Sequence, residues 1–185
     1  MENTRTKTTR NSLILLLTAA IWGMAFVSQS KGMDYMHPFT FNGVRSLIGA
    51  ASILVYILIS RKIAGDKAAP LDWKLNVKAG LLCGIFLTIA STLQQFGIKY
   101  TSVGKAGFIT TLYIIFVPMF GIFLKKKVAP VVWAAAVMAA VGMYLLCMTE
   151  SLRLGAGDIM VFLCAIAFAI QIMTVDHYAA RIDGA

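Results

Sequence analysis

Acidic side chains are scarce in this chain. Asp and Glu number eight in 185 residues, and charged residues of either sign reach only 14%. Soluble domains average about 25% charged, so the polar surface that keeps a globule in water is missing. The apolar share is 59% without the 15 glycines, more than one core of this size can hide. A soluble enzyme or regulator, a disordered segment and a collagen-like chain are excluded together. Cysteine is sparse as well. Cys83, Cys147 and Cys164 each lie inside an apolar run, with neither disulfide-framework nor metal-ligand spacing, and read as small packing side chains. Catalytic patterns are absent: there is no G-x-S-x-G, no H-E-x-x-H, no carboxylate pair within the apolar runs and no phosphate-cradling glycine loop. No enzymatic activity, metal or cofactor is expected.

What the chain does have is long apolar runs. A helix crossing a bilayer needs about 20 mostly apolar residues, and six segments meet that requirement: Ser12–Ser30, Phe39–Ser60, Val77–Ile98, Val103–Leu124, Val131–Met148 and Ala156–Val175. The breaks between them carry charges or turn residues. The predicted fold class is an all-α integral membrane protein with six transmembrane helices. The first run is too long for a secretory signal and five more follow, so it reads as an anchor. Seventeen basic residues against eight acidic ones give a net charge of +9. They lie mostly in short clusters between spans and have no aromatic interleaving, so nucleic acid is not an expected partner. Twelve fall on one side: Arg5, Lys7, Arg10, Arg61, Lys62, Lys67, Lys74, Lys78, Lys125, Lys126, Lys127 and Arg181. Four fall on the other: Lys31, Lys99, Lys105 and Arg153. The excess of bases marks the cytoplasmic side, which puts both termini there and His37 and His177 on opposite faces of the membrane.

The polar residues within the spans form stripes. Thr88, Ser91, Thr92, Gln95 and Lys99 share one face of the third span, and Thr18, Trp22, Ala25 and Gln29 share one face of the first. Such faces turn toward protein or water, either as interhelical hydrogen bonds or as the wall of a polar cavity. Arg45, one turn from Asn42, is the only clear charge within a span. It either snorkels to the surface or meets an anionic group or an acid elsewhere. Pro118 predicts a kink in the fourth span. Ala135/Ala139, Ala136/Ala140 and Gly142 in the fifth, and Ala165/Ala169 in the sixth, have the spacing of close helix packing. Asp158 opens the sixth span, where a carboxylate caps free amides.

A shift of 146 lays the first span over the sixth. Ala19, Ala20, Trp22 and Gly23 meet Ala165, Ile166, Phe168 and Ala169, and Ser28 meets Thr174. The similarity suggests a five-helix unit starting over, and an odd number of helices inverts the second copy. The chain resembles the drug/metabolite transporter superfamily, in particular its EamA-domain (RhaT-like) carriers. The residues that carry the resemblance are Ala20-Ile21-Trp22-Gly23, the Pro38…Arg45 stretch, Tyr100 to Thr110, Phe116-Val117-Pro118 and Gly157-Asp158.

The resemblance implies a carrier of two five-helix repeats, of which this chain holds the first and one helix of the second, truncated after the sixth helix. The corresponding division is a cytoplasmic tail at 1–11, a first repeat at 12–149, the first helix of a second repeat at 156–176 and a tail at 177–185. It implies alternating-access movement of a small organic solute across the bacterial inner membrane. The polar faces and the resemblance together nominate Trp22, Gln29, Asn42, Arg45, Thr88, Thr92, Gln95 and Tyr113 as the lining of a solute site. The alternative expectation is a non-transporting membrane fragment, or a carrier half that needs a second five-helix half or a homodimer partner. Spans one to five contain no Asp or Glu, which disfavours a proton-coupled dimer.

Overall fold

The computed structural model describes residues 2–64, 72–125, 128–147 and 155–179. Lys67, Lys126, Lys127, Arg153 and Arg181 lie outside the described residues, as do the break at 149–154 and the C-terminal end from 180. The described chain forms seven helices: α1 (Glu2–Gly32), α2 (Pro38–Ala64), α3 (Trp73–Tyr100), α4 (Val103–Thr111), α5 (Tyr113–Phe123), α6 (Pro130–Cys147) and α7 (Ala156–Ala179). α4 and α5 are two parts of one span, Val103–Phe123, so five segments are long and apolar enough to cross a membrane. α6 is shorter, with an apolar stretch over Pro130–Gly142. This is the all-helical, six-span membrane architecture expected.

Local chemistry accounts for the helix ends. Pro38 and Pro130 each take the first helical position, where the missing N–H has no partner to lose. Asp72 caps α3 by accepting the Leu75 N–H at 3.1 Å, and Ser102 caps α4 by accepting that of Lys105 at 3.3 Å. α1 runs back to Glu2 rather than starting near Ser12, because no glycine or proline interrupts Glu2–Asn11. The irregularity in the fourth span falls at Leu112, not at Pro118. There the Leu112 N–H donates to Ile109 O at 3.2 Å and the Ile115 N–H to Leu112 O at 2.9 Å. These are tight i→i+3 bonds, while Pro118 sits buried within α5. The turn that precedes the ring takes up the distortion.

α7 occupies the middle of the bundle, packed on α3 and flanked by α4 and α5. α6 backs α4 and α5, while α1 and α2 lean on α3. Glycine makes the α3–α7 crossing close. A Cβ on Gly157 would lie 2.7 Å from the Tyr100 carbonyl carbon and 2.8 Å from Gly97 O, and one on Gly97 would run into the Val161 side chain. Ala90, Cys164, Ala165 and Ala169 are wholly buried. In α6 only part of the small-residue surface packs. Ala136 is buried and Ala140 half-buried, but Ala135 is exposed and nothing lies within 4 Å of a Cβ on Gly142. The most apolar stretches of α1 and α2 contain no buried residue. Their leucines and isoleucines, from Leu13 to Ile63, stand free for lipid or another protein surface to cover.

Candidate functional site

Two polar clusters lie within the spans, and they differ in how completely their groups are paired. The first joins α3, α4 and α7 at one end of the bundle. Asp158 is buried there. Its Oδ2 accepts from Lys105 Nζ and from the Gly155 N–H, both at 2.9 Å, and its Oδ1 accepts from the Thr101 hydroxyl. The carboxylate therefore caps α7, as its position suggested, and also ties α7 to α4 through an ion pair. Lys105, counted from sequence as a loop base, belongs to this inter-helix tie. Thr101 and Lys105 were both within reach of a sequence argument, since they stand in the Tyr100–Thr110 stretch, but only the fold brings them onto Asp158.

The second cluster surrounds a cavity of about 260 Å³ between α1, α2, α3 and α7. Its lining is Trp22, Ala25, Phe26 and Gln29 from α1, Arg45 from α2, Leu87, Ser91 and Gln94 from α3, and Phe168 from α7. Behind it, Asn42 donates its amide to Ser91 O at 3.1 Å, and Gln95, fully buried, donates to Gln29 O at 3.4 Å. Both acceptors are carbonyls, so only the NH₂ side of each amide can face them. That orientation leaves Asn42 Oδ1 and Gln95 Oε1 buried without a partner among the described residues, and Gln29 Oε1 is unpartnered as well. Gln94 Nε2 donates to Thr110 Oγ1 at 3.3 Å. Arg45 borders the cavity with part of its side chain exposed, and it forms no ion pair among the described residues.

Of the residues nominated from sequence, Trp22, Gln29 and Arg45 line this cavity, and Asn42 and Gln95 are buried directly behind it. Thr92 and Tyr113 are half-buried and do not line it, although the Tyr113 ring stands 6.5 Å from that of Phe168. Thr88 does not line it either. It is exposed, and its hydroxyl donates to Gly84 O at 2.7 Å within its own helix, which lets it face lipid at little cost. The same holds for Thr18, which donates to Ile14 O at 2.8 Å. Gln94 was missed because it lies about 100° around the helix from Gln95, off the polar stripe. α3 is covered on two sides, by α7 and by α1 with α2, so both amides are inside. Phe168 did carry a signal: the 146-residue shift pairs it with Trp22, and both line the cavity.

At the far end of α7 a second, apolar hollow of about 510 Å³ opens between α3, α5 and α7. Leu82, Phe120, Phe123, Met173, His177 and Tyr178 are among its walls. His37 stands at the opposite end, stacked on Phe39 with ring centroids 5.6 Å apart and edge-on to Phe96. The two histidines share no site.

The profile of the EamA-like transporter family matches residues 10–148, which takes in α1 to α6 and stops before α7. An uncharacterized transporter of Archaeoglobus fulgidus is 31% identical over 171 residues, covering 89% of this chain and 48% of the relative. The chain thus spans about half the length of that relative. No solved structure matches it. Family and relative point to a transporter rather than an enzyme. A multi-span helical chain with a polar cavity between its helices agrees with that match, and the chain belongs to the EamA-like transporter family.

Proposed function

We propose that this chain is a carrier, or half of one, that moves a small organic solute such as an amino acid, metabolite or drug. The movement is by alternating access across the bacterial inner membrane, with both termini in the cytoplasm. The observation that carries the reading is the cavity between α1, α2, α3 and α7, where buried acceptors without a partner among the described residues stand beside an arginine that forms no ion pair among them. Polar groups at membrane depth mark substrate pathways because lipid cannot satisfy them. The two ends of the bundle also differ. One is tied by Thr101, Lys105 and Asp158, while the other opens into an apolar hollow. That asymmetry fits a carrier closed on one side and open on the other. By the count of bases, the tied end faces away from the cytoplasm.

The unburied faces of α1 and α2 favour a working unit with more protein than this chain, either a second five-helix half or a second copy. The test is solute counterflow in proteoliposomes containing this chain, with a panel of labelled amino acids and organic acids. Trp22→Ala combined with Gln95→Leu is expected to lower flux at least tenfold while the protein stays monodisperse. Unchanged flux in that variant would refute the site assignment. Absence of flux from the unsubstituted chain would instead favour the fragment, or a half that waits for its partner.

A further inference from the structure

The cavity's own chemistry narrows the class of solute, on the reading above that a solute binds there. Two groups in it lack partners among the described residues. Arg45 carries a full positive charge within a span, and no Asp or Glu occurs in the sequence of the first five spans to pair with it. The one ion pair among the described residues is made by Lys105 and Asp158. A guanidinium is always charged and presents a planar fork of donors that matches a carboxylate or phosphate. Gln29, only 5% exposed, lines the same cavity with its amide oxygen unpartnered. A buried acceptor left open costs about 1–3 kcal/mol, and a hydrogen-bond donor on the bound molecule would remove that penalty.

We infer that the bound solute is a small organic anion that also carries a hydrogen-bond donor. Its anionic group meets Arg45, its N–H or O–H meets Gln29 Oε1 once that buried amide has turned its oxygen to the cavity, and its apolar body lies against Trp22, Phe26 and Phe168. A simple cation is repelled by Arg45. A wholly apolar molecule leaves both the guanidinium and the amide oxygen unsatisfied. The cavity of about 260 Å³ has the room of several water molecules at ~30 Å³ each, enough for the body of a metabolite. A lipid phosphate could offer Arg45 the same anionic chemistry, because Arg45 lies only seven residues into α2, about 10 Å along its axis.

The chain provides its own reporter. Trp22 lines the cavity, whereas Trp73 and Trp133 do not, so a W73F/W133F background isolates its fluorescence. In phosphatidylcholine nanodiscs the probes are a graded set of 2-hydroxycarboxylates, from lactate to 2-hydroxy-3-phenylpropionate. Each is paired with its uncharged amide and with the carboxylate that lacks the hydroxyl. At least one hydroxycarboxylate is expected to quench Trp22 and to bind at least tenfold more tightly than its amide. It is also expected to bind several-fold more tightly than the acid without the hydroxyl.

Arg45→Gln should bring the carboxylate-to-amide ratio near one, Arg45→Lys should keep part of the preference, and Gln29→Leu should erase only the hydroxyl preference. Equal binding of acid and amide, a ratio unchanged in Arg45→Gln, or no quenching by any carboxylate at 10 mM (about 3 kcal/mol of binding) overturns the proposal. So does a carboxylate preference that vanishes when phosphatidylglycerol replaces a third of the lipid, since Arg45 then serves a headgroup. The counterflow assay separates the two readings: flux of neutral or cationic solutes that is insensitive to Arg45→Gln leaves the carrier standing and removes the anion. Selective anion binding without flux does the reverse.

Discussion

Asp158 and Arg45 are both charged residues set in apolar helices, and the chain treats them in opposite ways. Asp158, where α3, α4 and α7 meet, has three donors on its two oxygens and is 3% exposed. Arg45, on the side where α1 and α2 lean against α3, has no carboxylate at all among the described residues. The backbones repeat the contrast. α3 and α7 approach until a single methyl group would collide, whereas Gly23, Gly43 and Gly49 in α1 and α2 have nothing within 4 Å of an added Cβ. One region is finished by its own contacts; the other is not, among the described residues. Paired groups at membrane depth build structure, and groups left unpaired beside a cavity are available for binding.

The comparison can be broken most directly at the two charges. Asp158→Ala is expected to cost about 3 kcal/mol in a reversible unfolding titration. That is the low end for removing one member of a buried pair, because the Lys105 side chain is 19% exposed and can reach water. Arg45→Gln should leave stability unchanged or slightly raised in the same titration. Equal losses from the two would show that Arg45 has a structural partner after all, and the division of the molecule would fail.

Next in size comes the glycine contrast. Gly157→Ala puts a methyl 2.7 Å from the Tyr100 backbone, which cannot yield as a side chain can. A loss of about 1–3 kcal/mol is expected, as for other overpacked sites. Gly49→Ala in α2 meets nothing and should gain up to about 1 kcal/mol from helix propensity alone. Thermal melting of the two variants side by side checks both signs. A destabilised Gly49→Ala would mean that α2 is packed against protein in the assembled state, which would sharpen the case for a partner.

The smallest expected effect on stability is Gln95→Leu. The single bond it removes is long, 3.4 Å to Gln29 O, and the substitution also removes a buried oxygen with no partner. Replacing such a group by an apolar one of similar shape is close to neutral, so the melting point should move by less than about 1 kcal/mol in free-energy terms. If the cavity binds solute, the same variant should still lose flux. A large stability loss would make Gln95 a structural bracket between α1 and α3 rather than part of a binding wall.

Much of this was legible in the residues alone. The stripe Trp22–Ala25–Gln29 on α1 does line one cavity, because two turns of a regular helix hold their faces in register. The stripe on α3 was a poorer guide: Thr88 and Lys99 are exposed at its ends, while Gln94, off the stripe, is inside. A stripe argument assumes a helix with one covered face, and α3 has two. The small-residue spacing in α7 marked a crossing correctly, with Ala165 and Ala169 fully buried. The same spacing in α6 left Ala135 uncovered, since spacing alone does not say which of two adjacent rows meets a neighbour.

The sequence by itself determined the six-span layout, its all-helical character and the starts of the helices that open at a proline or a capping residue. Those follow from bilayer thickness, caps and prolines, all of which act within a few residues of one another. Only the tertiary structure decided that α7 sits at the centre, that Lys105 reaches Asp158 across 53 positions, and that Gln95 meets Gln29 across 66. A lipid solvent requires each helix to satisfy its own backbone but does not say which polar faces must meet. That choice depends on close contacts such as Gly97 on Gly157, which exist only once the helices have packed.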